Sequence, residues 1–345
     1  MCNIAGYAGT QPAAPILLKM MLAEEGFGGG YYTGIATVHE GRIYYAKLTG
    51  DTKRLIDNTD AASLPGTVGI IHSRSKSGGG DEWAHPFVGT KNGETQIAYA
   101  ANGVVGHFAP QRPEQMKIAD ALLAAGYDMQ SRVVLDSKMY NKLSDGTTAH
   151  MSDVMCQLIL SEMDRGLAPA DAMAAAFCGM PSEIVGLLLS LANPDAVTFS
   201  RINYPMSVGF ADHGAYLATT AIAFPEDAGE PMLLPACSSG CVYRDHMEII
   251  PFKDPPAKVA PITARVRAEA YDAILARLEE GPQMMGALCK AAALCFDEAD
   301  LRQDAPLAYD ILHSLHKADK VRFEQLRVPG AFEHLDAPKI RISLV

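Results

Sequence analysis

The order of strand-like and helix-like segments constrains this chain more than any single residue does. Residues 2–9 (CNIAGYAG) read as a short strand closed by a glycine turn, and Thr33–His39 with Arg42–Leu48 as a hairpin turned at Glu40-Gly41. Between them, residues 15–25 put Ile16, Leu17, Met20 and Met21 on one face of a helix. Val68–Ser73 and Gln96–Ala101 read as buried strands. Helical spacing follows over Ile118–Ala125, over Val154–Asp164 with Ser152-Asp153 as its cap, and over Asp171–Phe177 and Glu183–Leu191. Ala196–Phe199, Met206–Ala211, Tyr216–Thr220 and Cys241–Ile250 form a late set of strands. Strands, then helices, then strands again predict an α+β sandwich with segregated layers, not the alternation of a Rossmann fold. Neither a dinucleotide-binding glycine fingerprint nor a phosphate-binding loop motif occurs, so no cofactor is expected.

Prolines gather in Lys253–Pro261, which reads as a linker (residues 253–261) between a domain over 2–252 and an extension over 262–345. The extension reads as three helices (Thr263–Glu280, Met284–Phe296, Ala308–Leu315) and a terminal alternating run, Lys339–Val345, suited to docking or dimerisation. A net charge of −11 argues against a nucleic-acid or anionic-membrane partner, and in the extension Lys and Arg are interleaved with Asp and Glu. No apolar run reaches the length of a membrane span and no secretory signal opens the chain, so a cytoplasmic location is expected. Seven cysteines in 345 residues fit reduced thiols, and Cys237 with Cys241 lacks a second ligand pair at zinc-site spacing, so no metal is expected.

Four stretches carry residues suited to chemistry. Removal of Met1 would give Cys2 both a thiol and a free α-amine, and the amine can take the thiol proton without a His–Asp pair. In HSRSKSGGGDEWAHPF, Arg74 offers a planar fork for a carboxylate, flanked by Ser75 and Ser77. Asn102-Gly103 is either an ordinary turn after a strand or a side-chain amide and backbone N–H aimed at a developing oxyanion. Asp153 suits a helix cap and also an ammonium group.

Taken in order, these motifs resemble the glutaminase domain of the class II glutamine amidotransferases. That family opens Met-Cys-Gly-Ile-x-Gly, matched by Met1-Cys2-Asn3-Ile4-Ala5-Gly6; His72-Ser73-Arg74-Ser75, Ala84-His85-Pro86, Ala101-Asn102-Gly103 and Ser152-Asp153 follow as its motifs do. The resemblance covers roughly residues 2–252 and implies a four-layer α-β-β-α sandwich of the N-terminal nucleophile hydrolase type. It implies that Cys2 attacks the glutamine side-chain amide, that Asn102 and Gly103 hold the oxyanion, and that Arg74 and Asp153 take the α-carboxylate and α-amino groups. Ser75, Ser77 and His85 are the further substrate-binding candidates. It also implies a synthase or other ammonia-accepting partner protein, and a homo-oligomer is expected.

The chain departs from the family where Asn3 replaces glycine, where Gly28-Gly29-Gly30 replaces an Arg-Gly pair, and in extra residues between Tyr127 and Ser152 that leave Asp136 as an alternative to Asp153. Two further readings stay open: hydrolysis of another linear amide, and a degenerate, non-catalytic binding subunit.

Overall fold

The computed structural model describes residues 2–135, 142–296 and 300–345. Its first elements are β1 (Asn3–Gly9), α1 (Ala13–Glu24), the hairpin β2 (Tyr32–His39) and β3 (Arg42–Thr49), α2 (Thr52–Asn58), β4 (Val68–Arg74), β5 (Phe87–Lys91) and β6 (Glu94–Val104). Three helices follow: α3 (Arg112–Ala124), α4 (Met151–Asp164) and α5 (Pro169–Gly179). The chain then returns to strands in β7 (Glu183–Ser190), β8 (Asn193–Arg201), β9 (Ser207–Ala211), β10 (Gly214–Ala218), β11 (Met232–Leu233), β12 (Ser238–Val242) and β13 (Met247–Pro251). This is the α+β class that the order of segments predicts.

The strands form a seven-stranded sheet in the order β11-β9-β10-β1-β4-β2-β3 and a six-stranded sheet in the order β13-β12-β8-β7-β6-β5. Alternation within single strands shows how they stack. In β1, Ile4 and Ala8 join Ala98 and Ala100 of β6 and Val185 and Leu187 of β7 in one core between the sheets. Ala5 and Tyr7 of β1 turn the other way, onto Leu17, Leu18 and Met21 of α1. Ile97 and Tyr99 of β6, with Ile184 and Leu188 of β7, turn onto Val154, Ile159 and Phe177 of α4 and α5. The inner strands of each sheet are therefore buried on both faces.

That double burial explains one correction. Residues 183–191 were expected to be helical, yet they form β7, paired with β6 and β8 at the centre of a sheet. A strand covered on both faces is apolar at every position, and its run of Ile, Val and Leu has no period to set it apart from a buried helix. A second correction concerns Cys241–Ile250, which is not one strand but the hairpin β12–β13, paired Val242↔Met247 across Tyr243–His246.

Beyond Pro261 the chain forms α6 (Ala264–Glu279), β14 (Gln283–Met284), α7 (Met285–Ala293), α8 (Asp304–Lys317), β15 (Val321–Pro329) and β16 (Asp336–Leu344). The expected three helices are present, but they pack on a separate antiparallel sheet, β14-β16-β15. β15 escapes the sequence reading because its alternation breaks at Gln325-Leu326. The core of this module takes in Phe27, from the loop after α1, which meets Tyr309 and Phe323 edge-on. No helix among the described residues is long and apolar enough to cross a membrane.

Candidate active site

Cys2 lies immediately before β1. Because β1 and β4 are antiparallel, with Asn3 opposite Ser73 and Ile4 opposite His72, the start of β1 sits beside the end of β4, where Arg74 and the loop beyond it begin. Asn102 and Gly103 approach from the facing sheet, near the end of β6. They are inside a strand, paired with Val185 and Ile184, so the turn alternative is excluded. The Cys2 N–H donates to Asn102 Oδ1 at 3.0 Å, and Asn102 Nδ2 donates to the Cys2 carbonyl at 2.9 Å. One buried side-chain amide thus clamps the backbone of the nucleophile candidate to the opposite sheet.

The Cys2 thiol is 8% exposed, at the head of a cavity of about 300 Å³. That volume lies at the lower end for small-molecule sites. Burial pushes the thiol pKa up, but interaction with the His72 imidazole, then the charge of the chain's N-terminal amine and the Ser75 N–H, outweighs it and brings the value down to about 6. The Ser75 N–H donates to Cys2 Sγ at 3.5 Å. His72 Nε2 lies 2.9 Å from the Ala101 carbonyl, an acceptor, so that nitrogen carries the proton.

Arg74 is buried at the cavity wall, stacked 4.1 Å over the Tyr32 ring. The loop after it wraps the guanidinium. Ser77 Oγ accepts from Nε at 2.9 Å and from Nη2 at 2.6 Å, the Gly78 carbonyl from Nη2 at 2.5 Å, and the Trp83 carbonyl from Nη1 at 2.6 Å. The directions in which a carboxylate would approach are thus partly taken by the loop itself.

His85 also lines the cavity. Its ring lies 3.9 Å from that of His72 and 5.2 Å from that of His150, and neither of its nitrogens has a partner among the described residues. Burial first, then the nearby charges of His72, His150, Arg74 and Lys47, hold its pKa well below the ordinary imidazole value, so it is neutral.

Asp153 is placed differently. The cap of α4 is His150, whose Nδ1 accepts from the Ser152 N–H at 3.1 Å, so Asp153 lies inside the first turn and not before it. Its Oδ2 accepts from both the N–H and the hydroxyl of Ser131 at 2.8 Å, and its Oδ1 from Gln157 at 3.3 Å. It is fully buried and is not on the cavity wall, whereas its neighbour Ser152 is. Asp136 lies outside the described residues. The structure therefore brings Cys2, Arg74, Ser75, Ser77, His85 and Gly103 to one cavity, with Asn102 behind Cys2, and leaves the Asp153 carboxylate off its wall.

Residues not singled out from the sequence complete the site. His72 acts on Cys2, while His150 and Arg112 join the wall. His72 and His150 were visible only as neighbours of Arg74 and Asp153. The departures at Asn3 and at the glycine run prove to be partners. Asn3 Oδ1 accepts from the N–H groups of Gly28 and Gly29 at 3.1 and 2.8 Å, and a Cβ on Gly29 would collide with the Ser73 carbonyl. Asn3 thus faces the loop after α1 and is not on the cavity wall.

No protein-family model matches the chain. Over 261 residues it is 27% identical to the glutamine–fructose-6-phosphate aminotransferase (isomerizing) of Agrobacterium fabrum, which covers 75% of this chain and 38% of that protein. The enzyme of the same name from Leifsonia xyli subsp. xyli is 25% identical over 293 residues, 83% of this chain and 42% of the relative. The chain therefore spans well under half the length of these relatives. The glutamine phosphoribosylpyrophosphate amidotransferase of B. subtilis superposes on 91% of this chain and 64% of its own with a TM-score of 0.58 at 14% identity. A structure described as the allosteric regulatory enzyme of purine biosynthesis gives 0.57 at 17% identity, covering 80% of this chain and 58% of its own. At such identities the structural likeness speaks for the fold and the sequence relatives for kinship. In sequence and in fold the chain thus resembles the class II glutamine amidotransferases.

Proposed function

We propose that this chain hydrolyses the side-chain amide of glutamine through a Cys2 thioester and supplies ammonia to a partner synthase. The observation that carries this reading is the clamp on Cys2. Its N–H is fixed on Asn102 Oδ1 at 3.0 Å, while its thiol, with a pKa of about 6, heads the cavity. Loss of Met1 turns that N–H into an α-amine held in place to handle protons for the adjacent sulfur.

The sulfur adds to the amide carbon, and the oxygen becomes an oxyanion. Asn102 Nδ2 has a second hydrogen beyond the one given to the Cys2 carbonyl, and that hydrogen and the Gly103 N–H are the proposed oxyanion donors. The carbon–nitrogen bond breaks as the α-ammonium protonates the leaving amine, which departs as ammonia. Water then hydrolyses the thioester to glutamate and frees the thiol. Neutral His85 offers a ring nitrogen to the substrate, and Ser75 borders the sulfur. Arg74 is proposed to take the α-carboxylate, with Ser77 and the Gly78 carbonyl giving way to it. Asp153 is proposed for the α-ammonium only through release of its Ser131 bonds. The stacking of two sheets between helices supports the four-layer sandwich of the N-terminal nucleophile hydrolases, with residues 2–252 as the glutaminase part and 262–345 as a docking or dimerisation module.

One observation favours the second reading, hydrolysis of another linear amide: the Arg74 guanidinium is already held by its own loop. A single assay panel decides. Parent protein with a verified Cys2 N-terminus should release ammonia from glutamine, and Cys2→Ala should release none. 4-Aminobutanamide, which is glutamine without its α-carboxylate, should be hydrolysed with a KM raised about tenfold or more, the loss of a charge-assisted pair. Equal kcat/KM for the two amides would remove Arg74 as a substrate clamp and leave the other-amide reading. An active preparation that retains Met1 would sink the α-amine mechanism.

A further inference from the structure

A second cavity, of about 340 Å³, lies on the other side of Ser75, which borders both. One wall comes from the glutaminase part: Gly26–Gly28, Tyr31 and Lys76. The other comes from the C-terminal module: Met284, Gly286, Lys339 and Ile340. No carboxylate lines it among the described residues, and Lys76 and Lys339 supply positive charge from opposite sides.

Three features point to an anion. The Lys339 side chain, half-buried on β16, makes no hydrogen bond or ion pair among the described residues, and burial lowers its ammonium pKa, a cost that a bound anion would reverse. Tyr31 is only 9% exposed, and its hydroxyl has no partner among the described residues although the residue lines the cavity. The nine-residue helix α7 begins on the same wall, its cap Met284 offers no side-chain acceptor, and a Cβ on Gly286 would meet nothing within 4 Å. The first turn of α7, whose N–H groups no side chain caps, thus borders the cavity with its positive end.

We propose that this cavity binds a small anionic ligand, through a phosphate or a carboxylate, held by Lys76, Lys339, the Tyr31 hydroxyl and the first turn of α7. The site is built only where the C-terminal module meets the glutaminase part, which gives that module a ligand-binding role. The proposal does not depend on the reaction assigned to Cys2.

The test titrates the full chain with inorganic phosphate and, separately, with succinate at constant ionic strength, using isothermal calorimetry. Saturable one-site binding of at least one anion is expected, and which one binds tells a phosphate ligand from a carboxylate one. Lys339→Gln and Lys76→Gln should each raise the dissociation constant at least about tenfold, the usual worth of a hydrogen bond to a charged group. Lys339→Arg should retain most of the binding, and Tyr31→Phe should lose less than either Gln variant. Far-ultraviolet circular dichroism of each variant checks folding, and Lys76, on an exposed loop, keeps the test open if Lys339→Gln fails to fold. The proposal falls if neither anion binds saturably, or if Lys76→Gln binds as tightly as the parent. Because binding needs no turnover, the outcome stands whether or not glutamine is hydrolysed.

Discussion

At the scale of single residues, the site depends on how a buried thiol is kept ionised. Burial alone would hold Cys2 as an inert thiol, and the His72 imidazole, with the N-terminal amine and the Ser75 N–H, reverses that to a pKa of about 6. At pH 7 roughly nine-tenths of Cys2 is then thiolate. Alkylation by iodoacetamide should accordingly be near its plateau at pH 7 and fall about tenfold per pH unit below 6, where the thiol is protonated. In His72→Gln the midpoint should move up toward the ordinary thiol range. A parent midpoint above 8 would show that His72 does not act on Cys2. Where a motif fixed both type and order, the sequence named candidates that come together in space, as Cys2, Arg74 and Asn102 do. The direction of a side chain was not. Asp153 has the right type next to a helix start, but its carboxylate turns inward to Ser131, a partner 22 positions away that no local pattern reveals.

At the scale of elements, the end of α1 is tied to three others by one carboxylate. Glu25, the C-cap of α1, accepts from the Thr52 N–H at the start of α2 at 3.0 Å, from Ser73 of β4 at 2.7 Å and from Thr33 of β2 at 3.3 Å. Ser73 Oγ in turn accepts from the Gly30 N–H at 2.7 Å, so the knot also fixes the loop behind Cys2. Burial pushes the Glu25 pKa up to about 7 despite these donors. A carboxyl raised in the folded state binds more protons there than when unfolded, so its contribution is full below the unfolded pKa and is lost as pH rises through about 7. Glu25→Gln should remove that loss. Between pH 5 and 8 the stability difference between variant and parent should shift in favour of the variant by on the order of 3 kcal/mol. Urea unfolding at the two pH values measures it, and a constant difference would show that Glu25 titrates normally. Such knots explain the limits of the sequence reading at this scale. The hairpin β2–β3 was legible because its turn and alternation are local, whereas β7 was misread because its strand character rests on pairing with β6 and β8 and on burial of both faces.

At the scale of the whole molecule, the C-terminal module is joined to the two-sheet part through polar as well as apolar contacts. Arg201, at the end of β8, is fully buried and has its pKa lowered to about 9 by that burial. Its Nη2 donates to Gln303 Oε1, just before α8, at 2.7 Å, and Gln303 Nε2 donates to the Ala260 carbonyl at 2.9 Å. Phe27 lies in the module's core, and the Ile340 N–H donates to the Gly26 carbonyl at 3.0 Å. With a buried cation and a shared core across the seam, the two parts should unfold together. In Gln303→Ala, Arg201 keeps acceptors in the Tyr204, Leu234 and Asn203 carbonyls but loses the one from the module. The expected cost is about 1.5–3 kcal/mol, the range for a hydrogen bond to a charged group. In guanidinium unfolding followed by both tryptophan fluorescence and circular dichroism, the midpoint should fall with an unchanged slope and the two probes should coincide. Trp83 reports from the two-sheet part, while α6–α8 contribute to the dichroism of the module. Two separated transitions, with Gln303→Ala moving only the one that fluorescence does not see, would mean that the module folds by itself and that the seam does not bind it to the two-sheet part.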